Sequence, residues 1–216
     1  VGRGVTFDRI AYSEPDVGTT YHYTVAEVVP NPVPSGYTYD KSEYDVAVAV
    51  TIDPADNTKL VATQTITKTK DAQGKDVPDE EASVDAIVFN NAYEASGTAV
   101  FHAQKVLEGR VLEAGDFSFE LVGHNVGTAT GAHQGSETVS NGNEGITDKA
   151  TFTQVNYTLA DLAQNADGSH ADTTYTYTIR ELEPDSALPG VTYDDTTATI
   201  KVTLHDNGNG TIRATY

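Results

Sequence analysis

One stretch of the chain occurs twice, and that repeat constrains the fold more than any other feature. Tyr21 to Asp40, YHYTVAEVVPNPVPSGYTYD, aligns without a gap on Tyr175 to Asp194, YTYTIRELEPDSALPGVTYD, at a constant separation of 154 positions. The match extends backwards through Phe7 and Tyr12 against Phe152 and Tyr157. It extends forwards through Val46, Val48 and Val50 against Ile200, Val202 and Leu204, and a two-residue difference in the next turn separates Leu60 from Ile212. Self-similarity over this length means two copies of one module.

Each copy reads as strands. Tyr21, Tyr23, Val25 and Glu27 share one face of an extended segment, a Pro- and Gly-containing loop runs from Asn31 to Gly36, and Tyr44 to Ile52 alternates again. In copy two, Asp206 to Gly210 is a hairpin signal between Ala198 to Leu204 and Thr211 to Tyr216. A Ca²⁺ loop is the alternative for this Asp and Asn cluster, but it lacks the closing glutamate of an EF-hand. Tyr, Thr, Val and Ala outweigh Leu, which also favours an all-β fold.

The composition excludes several function classes. Cys, Met and Trp are absent, so no disulfide, thiolate metal site or cysteine nucleophile is expected. Val1 is no translation start, so the sequence is expected to be processed or excised. No apolar run approaches a membrane span and no secretory h-region is present, so no membrane partner is expected. A net charge of -19 argues against nucleic acid, whose phosphates need clustered Lys and Arg. The acidic residues are spread along the chain, as on a solvated exterior.

Between the repeats, Lys68 to Glu81 reads as a long polar loop or edge hairpin, and Ile87, Phe89, Asn91 and Tyr93 as one face of a closing strand. Glu94 to Thr98 reads as a short linker. A new unit opens at Phe101, where Phe101, Ala103, Lys105 and Leu107 share a face, turns at Glu108-Gly109-Arg110, and continues through Phe117, Phe119 and Leu121. His124 to Lys149 is rich in Gly, Ser, Thr and Asn and reads as a surface loop, and Tyr157 to Leu162 as one helical turn. Copy two thus has an opening strand and no counterpart of Phe89 to Tyr93; copy one has that closing strand and no opening strand.

Polar residues stand on three otherwise apolar strand faces: Lys105, the equivalent Glu27 and Glu181, and Asn91. A lysine inside a sheet is costly unless something pairs with it, neutralises it or reacts with it. A neutral lysine amine can attack a carboxamide carbon and expel ammonia. Burial favours a neutral amine beside a protonated glutamic acid, which would donate to the amide oxygen and shuttle protons, while folding supplies the proximity.

The segments FHAQKVLEGR, FSFEL, YTYTIRE and GVTYD, followed by an alternating strand and a DNGNGT turn, resemble the streptococcal-pilin isopeptide-linkage family of Gram-positive pilins and surface adhesins. FNNAY resembles that family's closing F-x-N motif. The resemblance covers most of 101 to 216 and, through the repeat, about 1 to 95. It implies two tandem immunoglobulin-like β-sandwich modules, 1–95 and 96–216, the first lacking its opening strands and the second its closing strand. It also implies a Lys-Asn bond stapling each complete module, with Lys105 as nucleophile, Glu181 as its catalytic acid, Glu27 as the acid of copy one and Asn91 as the acceptor of copy one. No cofactor or metal is implied, and no enzyme beyond this self-directed chemistry. Since Lys105 and Glu181 belong to one copy and Glu27 and Asn91 to the other, no complete bond is expected within the chain unless a neighbour supplies a strand. Asn90 is expected to point away with Val88.

The implied role is a stalk or repeat segment of an adhesin or pilus outside a Gram-positive cell, with neighbouring modules or subunits as partners. The alternative is a module binding a host protein or glycan through the Val122 to Lys149 loop or the Tyr21, Tyr23, Tyr175 and Tyr177 faces. His22, His102, His124, His133, His170 and His205 are scattered without ligand spacing and read as surface residues. No nucleophile-base pair suggests a hydrolase.

Overall fold

The structure is a computed structural model and describes residues 4–124 and 135–216. It divides into two compact units, Val1–Tyr93 and Glu94–Tyr216. Regular structure among the described residues is strand, apart from the 3₁₀ turns Glu14–Asp16 and Leu159–Asp161.

Unit 1 contains β1 (Thr20–Ala26), β2 (Tyr37–Thr38), β3 (Glu43–Asp53), β4 (Asp56–Lys70), β5 (Ser83–Val84) and β6 (Ala92–Tyr93). An antiparallel sheet runs β1-β3-β4-β5, and β2 pairs with β6. The alternation read in Tyr21, Tyr23 and Val25 sets the register, placing them opposite Val48, Val46 and Tyr44. Lys68–Lys70, read as the start of a long polar loop or edge hairpin, ends β4, because its Thr-rich run pairs with β3 along the whole hairpin.

Unit 2 contains β7 (Ser96–Ala99), β8 (His102–Gln104), β9 (Ser118–Gly123), β10 (Ser136–Ser140), β11 (Lys149–Thr151), β12 (Val155–Thr158), β13 (Ala163–Gln164), β14 (His170–Ala171), β15 (Thr173–Leu182), β16 (Thr197–Asp206) and β17 (Ile212–Thr215). A sheet ordered β10-β9-β15-β16-β17 packs against the pairs β8-β11 and β7-β12. Phe101, Phe117, Leu121, Phe152, Tyr157, Tyr177, Val202 and Leu204 are each at most 2% exposed and form the core between these layers.

Two sequence expectations need correction here. Ser96–Ala99 is no linker: β7 pairs with β12, and the Ser96 N–H donates to the Gly210 carbonyl at 3.3 Å. Gly97 allows that approach, since a Cβ there would lie 2.1 Å from the Ile212 carbonyl oxygen. His124 to Lys149 is not loop throughout either. Residues 125–134, including His133, lie outside the described residues, but Ser136–Ser140 is an edge strand paired with β9.

Asn141, which follows that strand, is 1% exposed and holds three backbone groups. Its Oδ1 accepts the Phe117 N–H at 2.9 Å, and its Nδ2 donates to the carbonyls of Glu113 at 2.8 Å and Thr147 at 2.7 Å. Polar composition looked like solvent exposure, whereas this side chain satisfies buried backbone. Asn141→Ala is expected to destabilise unit 2 by about 2–3 kcal/mol, as urea unfolding followed by circular dichroism will show.

The repeat persists in detail. Ser13 and Thr158 each donate a backbone N–H to an aspartate three residues on, Asp16 at 2.7 Å and Asp161 at 2.6 Å. The Tyr12–Tyr23 and Tyr157–Tyr177 hydroxyl pairs, at 3.0 and 2.8 Å, follow the same plan. The offset between copies changes from 145 to 154 across β13–β14, whose span of Ala163–Ala171 accounts for the nine residues. Burial differs, though. β9 takes the outer edge of β15, while no strand among the described residues takes that edge of β1. Phe152 donates its N–H to the Phe101 carbonyl and is 2% exposed; its counterpart Phe7 is 71% exposed.

Candidate functional site

Lys105 stands just past β8, its inward direction fixed by the alternation that buries Phe101, with its own N–H on the Asp148 carbonyl at 2.7 Å. Glu181 comes from the last turnings of β15, opposite Phe119. The Lys105 Nζ donates to Glu181 Oε2 at 2.7 Å and to Oε1 at 3.0 Å. The two side chains are 9% and 5% exposed. The ammonium also lies 4.1 Å from the centre of the Phe117 ring, a cation–π contact in a largely dehydrated setting. Asn141 holds the backbone of that ring's residue in place, so the polar anchor and the aromatic platform form one assembly.

A groove of about 340 Å³ opens beside this pair, lined by Ala103, Lys105, Glu181, Asp194, Thr196 and Ala198 among others. Asp194 accepts the Thr196 N–H on Oδ1 at 2.8 Å, and the Thr196 hydroxyl and N–H hold its carboxyl below the usual carboxylate range.

Unit 1 holds the other half of the expected constellation. Asn91 Nδ2 donates to Glu27 Oε1 at 2.7 Å. The Asp40 N–H donates to Asn91 Oδ1 at 2.8 Å. A backbone N–H can only donate, so it fixes which end of the carboxamide is oxygen. The glutamate therefore faces the amide nitrogen, where the sequence reading had put it on the oxygen, and the oxygen is served by the backbone instead. The second oxygen of Glu27, Oε2, is buried without a hydrogen-bond partner. An orphaned buried carboxylate oxygen is expensive unless a donor meets it. In unit 2 the equivalent glutamate meets a lysine with both oxygens.

Asp40 is 4% exposed, and its backbone N–H and both carboxylate oxygens are hydrogen-bonded. Its Oδ1 accepts the Ser42 N–H and its Oδ2 the Asn90 N–H, both at 2.8 Å. Burial alone would raise its pKa; the hydrogen bonds from Ser42 and Asn90, helped by the charge of Lys68, outweigh burial and lower it. A carboxylate with a depressed folded pKa contributes stability above its unfolded value, and that contribution is lost as pH falls through the folded one.

Asn91 itself is exposed, as are Asn90 and Val88, while Ile87, Phe89 and Tyr93 are half-buried. Phe89 meets Tyr44 edge-on at 5.5 Å between ring centres. Only Ala92–Tyr93 pairs as a regular strand, because the Asp40 side chain takes the Asn90 N–H that a sheet ladder would have used. Lys105 and Glu181 thus meet in one unit, and Glu27 and Asn91 in the other. Sequence reasoning missed Asp40, Asp194 and Asn141 as site residues, although the two aspartates close the repeated block in both copies.

Tyr175 and Tyr177, considered as a stacking face for sugars, are 7% and 0% exposed and belong to the core. The burial of Tyr157 against the Tyr177 hydroxyl pushes its phenol far above the usual range. Among the described residues no group of three or more His, Asp or Glu side chains is placed to hold a metal, and no helix is long and apolar enough to cross a membrane.

No curated protein and no solved structure matches the chain. The model of a family described as FctA, Spy0128-like isopeptide containing domain, matches residues 1–94 and 101–216. Those two segments follow the same division as the two compact units. With a duplicated all-β module and nearly the whole length matched, the chain belongs to this pilin and adhesin repeat family and is a structural, immunoglobulin-like tandem segment of it.

Proposed function

We propose that the chain is a load-bearing stalk segment of a Gram-positive surface adhesin or pilus, outside the cell, whose complete modules cross-link themselves by a Lys-Asn isopeptide bond. The observation that carries this reading is the sharing of one position by two partners. The glutamates at 27 and 181 are equivalent, yet one binds the acceptor carboxamide through a single oxygen and the other binds the lysine amine. A module holding both would press amine and carboxamide together on one carboxylate.

The reaction then balances without a cofactor. Glu181 takes a proton from the Lys105 ammonium, and the neutral amine attacks the asparagine Cγ. Glu181 hands its proton to the carboxamide nitrogen as that C–N bond breaks, and takes the second amine proton as the new amide forms. Ammonia leaves and collects the last proton in water. Removing bulk water strengthens each of these interactions. Neighbouring modules or subunits are the partners this role requires.

The test is a chain that completes unit 2. The register of β16–β17 matches that of β3–β4, with Thr203 opposite Thr215 as Ala49 is opposite Thr63. A second copy of residues 65–93 joined directly after Tyr216 therefore continues unit 2 in the register of unit 1. The denatured mass of this extended chain is expected to fall short of its formula by one ammonia. Changing Lys105 to alanine, or the added acceptor asparagine to alanine, restores the full mass. A full mass in the unsubstituted extended chain refutes the cross-linking function.

A further inference from the structure

We infer that Asp194, like Asp40 in unit 1, is the docking residue for an acceptor strand: its backbone N–H takes the acceptor carboxamide oxygen and its carboxylate takes the N–H of the preceding residue. The terms acceptor and donor rest on the cross-linking reading above, while the docking contacts stand on their own geometry.

Unit 1 displays the occupied form. The Asp40 N–H donates to Asn91 Oδ1, and the Asn90 N–H donates to Asp40 Oδ2. The remaining oxygen is tied to the Ser42 N–H, so the turn that aims the Asp40 N–H is pinned by its own side chain. β2 continues the dock, pairing Thr38 with Ala92 and Tyr37 with Tyr93. These contacts grip two consecutive residues, the asparagine by its side chain and the residue before it by its backbone.

Unit 2 displays the open form. Asp194 lies 154 positions after Asp40, and its Oδ1 accepts the N–H of Thr196, the equivalent of Ser42. Its Oδ2 takes no backbone donor, and its N–H has no partner, among the described residues. Asp194 is exposed and lines the groove beside Lys105 and Glu181. Val191 and Thr192, the equivalents of Tyr37 and Thr38, belong to no strand. The pinned turn, a carboxylate oxygen without a backbone donor and an N–H without a partner among the described residues thus stand where unit 1 has its closing segment.

The occupant is an extended segment with the chemistry of Phe89–Tyr93: an aromatic, any residue with a free N–H, asparagine, a small residue and an aromatic. The residue before the asparagine is read by its backbone, and its side chain points outward as Asn90 does. Proline is excluded there, having no N–H. A second role follows for the dock. As an amine attacks the carboxamide carbon, charge develops on the oxygen that the aspartate N–H already holds, and preorganised donors act most strongly on such charge.

The experiment mixes the 216-residue chain with a synthetic peptide of sequence Asp85–Tyr93 and with its analogue in which an ester oxygen replaces the Asn90 N–H. Binding is read by fluorescence anisotropy and coupling by the denatured mass. The parent peptide is expected to bind and to add its mass less one ammonia. The ester analogue should bind about tenfold more weakly or worse, as the loss of a hydrogen bond to a charged group requires. In the Asp194→Ala chain, checked for folding by circular dichroism, both peptides should bind weakly and equally. A merely structural role for Asp194 would leave the ester penalty in place.

Equal binding of parent and ester to the unsubstituted chain overturns the inference. Binding with the ester penalty but without ammonia loss upholds the dock and overturns the cross-linking reading. No binding by either peptide overturns the dock and leaves the cross-linking reading to the mass of the extended chain.

Discussion

Glu181→Ala is expected to destabilise unit 2 by about 3–5 kcal/mol, because it leaves the Lys105 ammonium buried against Phe117 without a counter-charge. Glu181→Gln keeps an acceptor and loses the charge, so its cost should be smaller. The double substitution Lys105→Met/Glu181→Leu removes both charges and fills the space, and should return most of the lost stability. Urea unfolding of the three variants checks this order. If Glu181→Ala and the double variant proved equally unstable, the pair would matter for packing rather than for its charge. The same Glu181→Ala substitution in the chain extended by residues 65–93 should also abolish ammonia loss, since no other carboxylate contacts the Lys105 Nζ among the described residues.

The extended chain carries the second large effect. A Lys-Asn bond from Lys105, just past β8, to the added strand closes a loop on the order of 100 residues, and by the chain-entropy account used for disulfides this constraint adds roughly 4–5 kcal/mol. The proper reference is the extended chain whose added acceptor asparagine is alanine, which keeps Lys105 and Glu181 paired. The cross-linked form should unfold at markedly higher urea, with the gap between the two curves giving the contribution of the bond. A gap near zero would mean that the bond stores strain equal to the entropy it removes.

Alternation made much of this fold legible. The faces Tyr21-Tyr23-Val25-Glu27 and Phe101-Ala103-Lys105 were readable because side chains on a strand alternate, and the buried partners obey that register. The repeat made the glutamates equivalent before any contact was known. Composition misled where polar side chains serve the backbone: Asn141 closes an edge strand rather than a loop, and Gly97 permits close packing rather than flexibility. The Asp40 N–H on the carboxamide oxygen was hidden for a different reason. Main-chain donors have no letter in a sequence, and only the pinned turn around Asp40 reveals where its N–H points.

Among the described residues no carboxamide contacts the Lys105–Glu181 pair, and a strand following β15 in the same chain would meet a pair already assembled. β8 and β15 both precede any strand that could enter the groove from further along the same chain. A ribosome would thus release a loaded site first and its trigger last. In the proposed chemistry the bond becomes a record that the final strand arrived, written once and not erased by later unfolding.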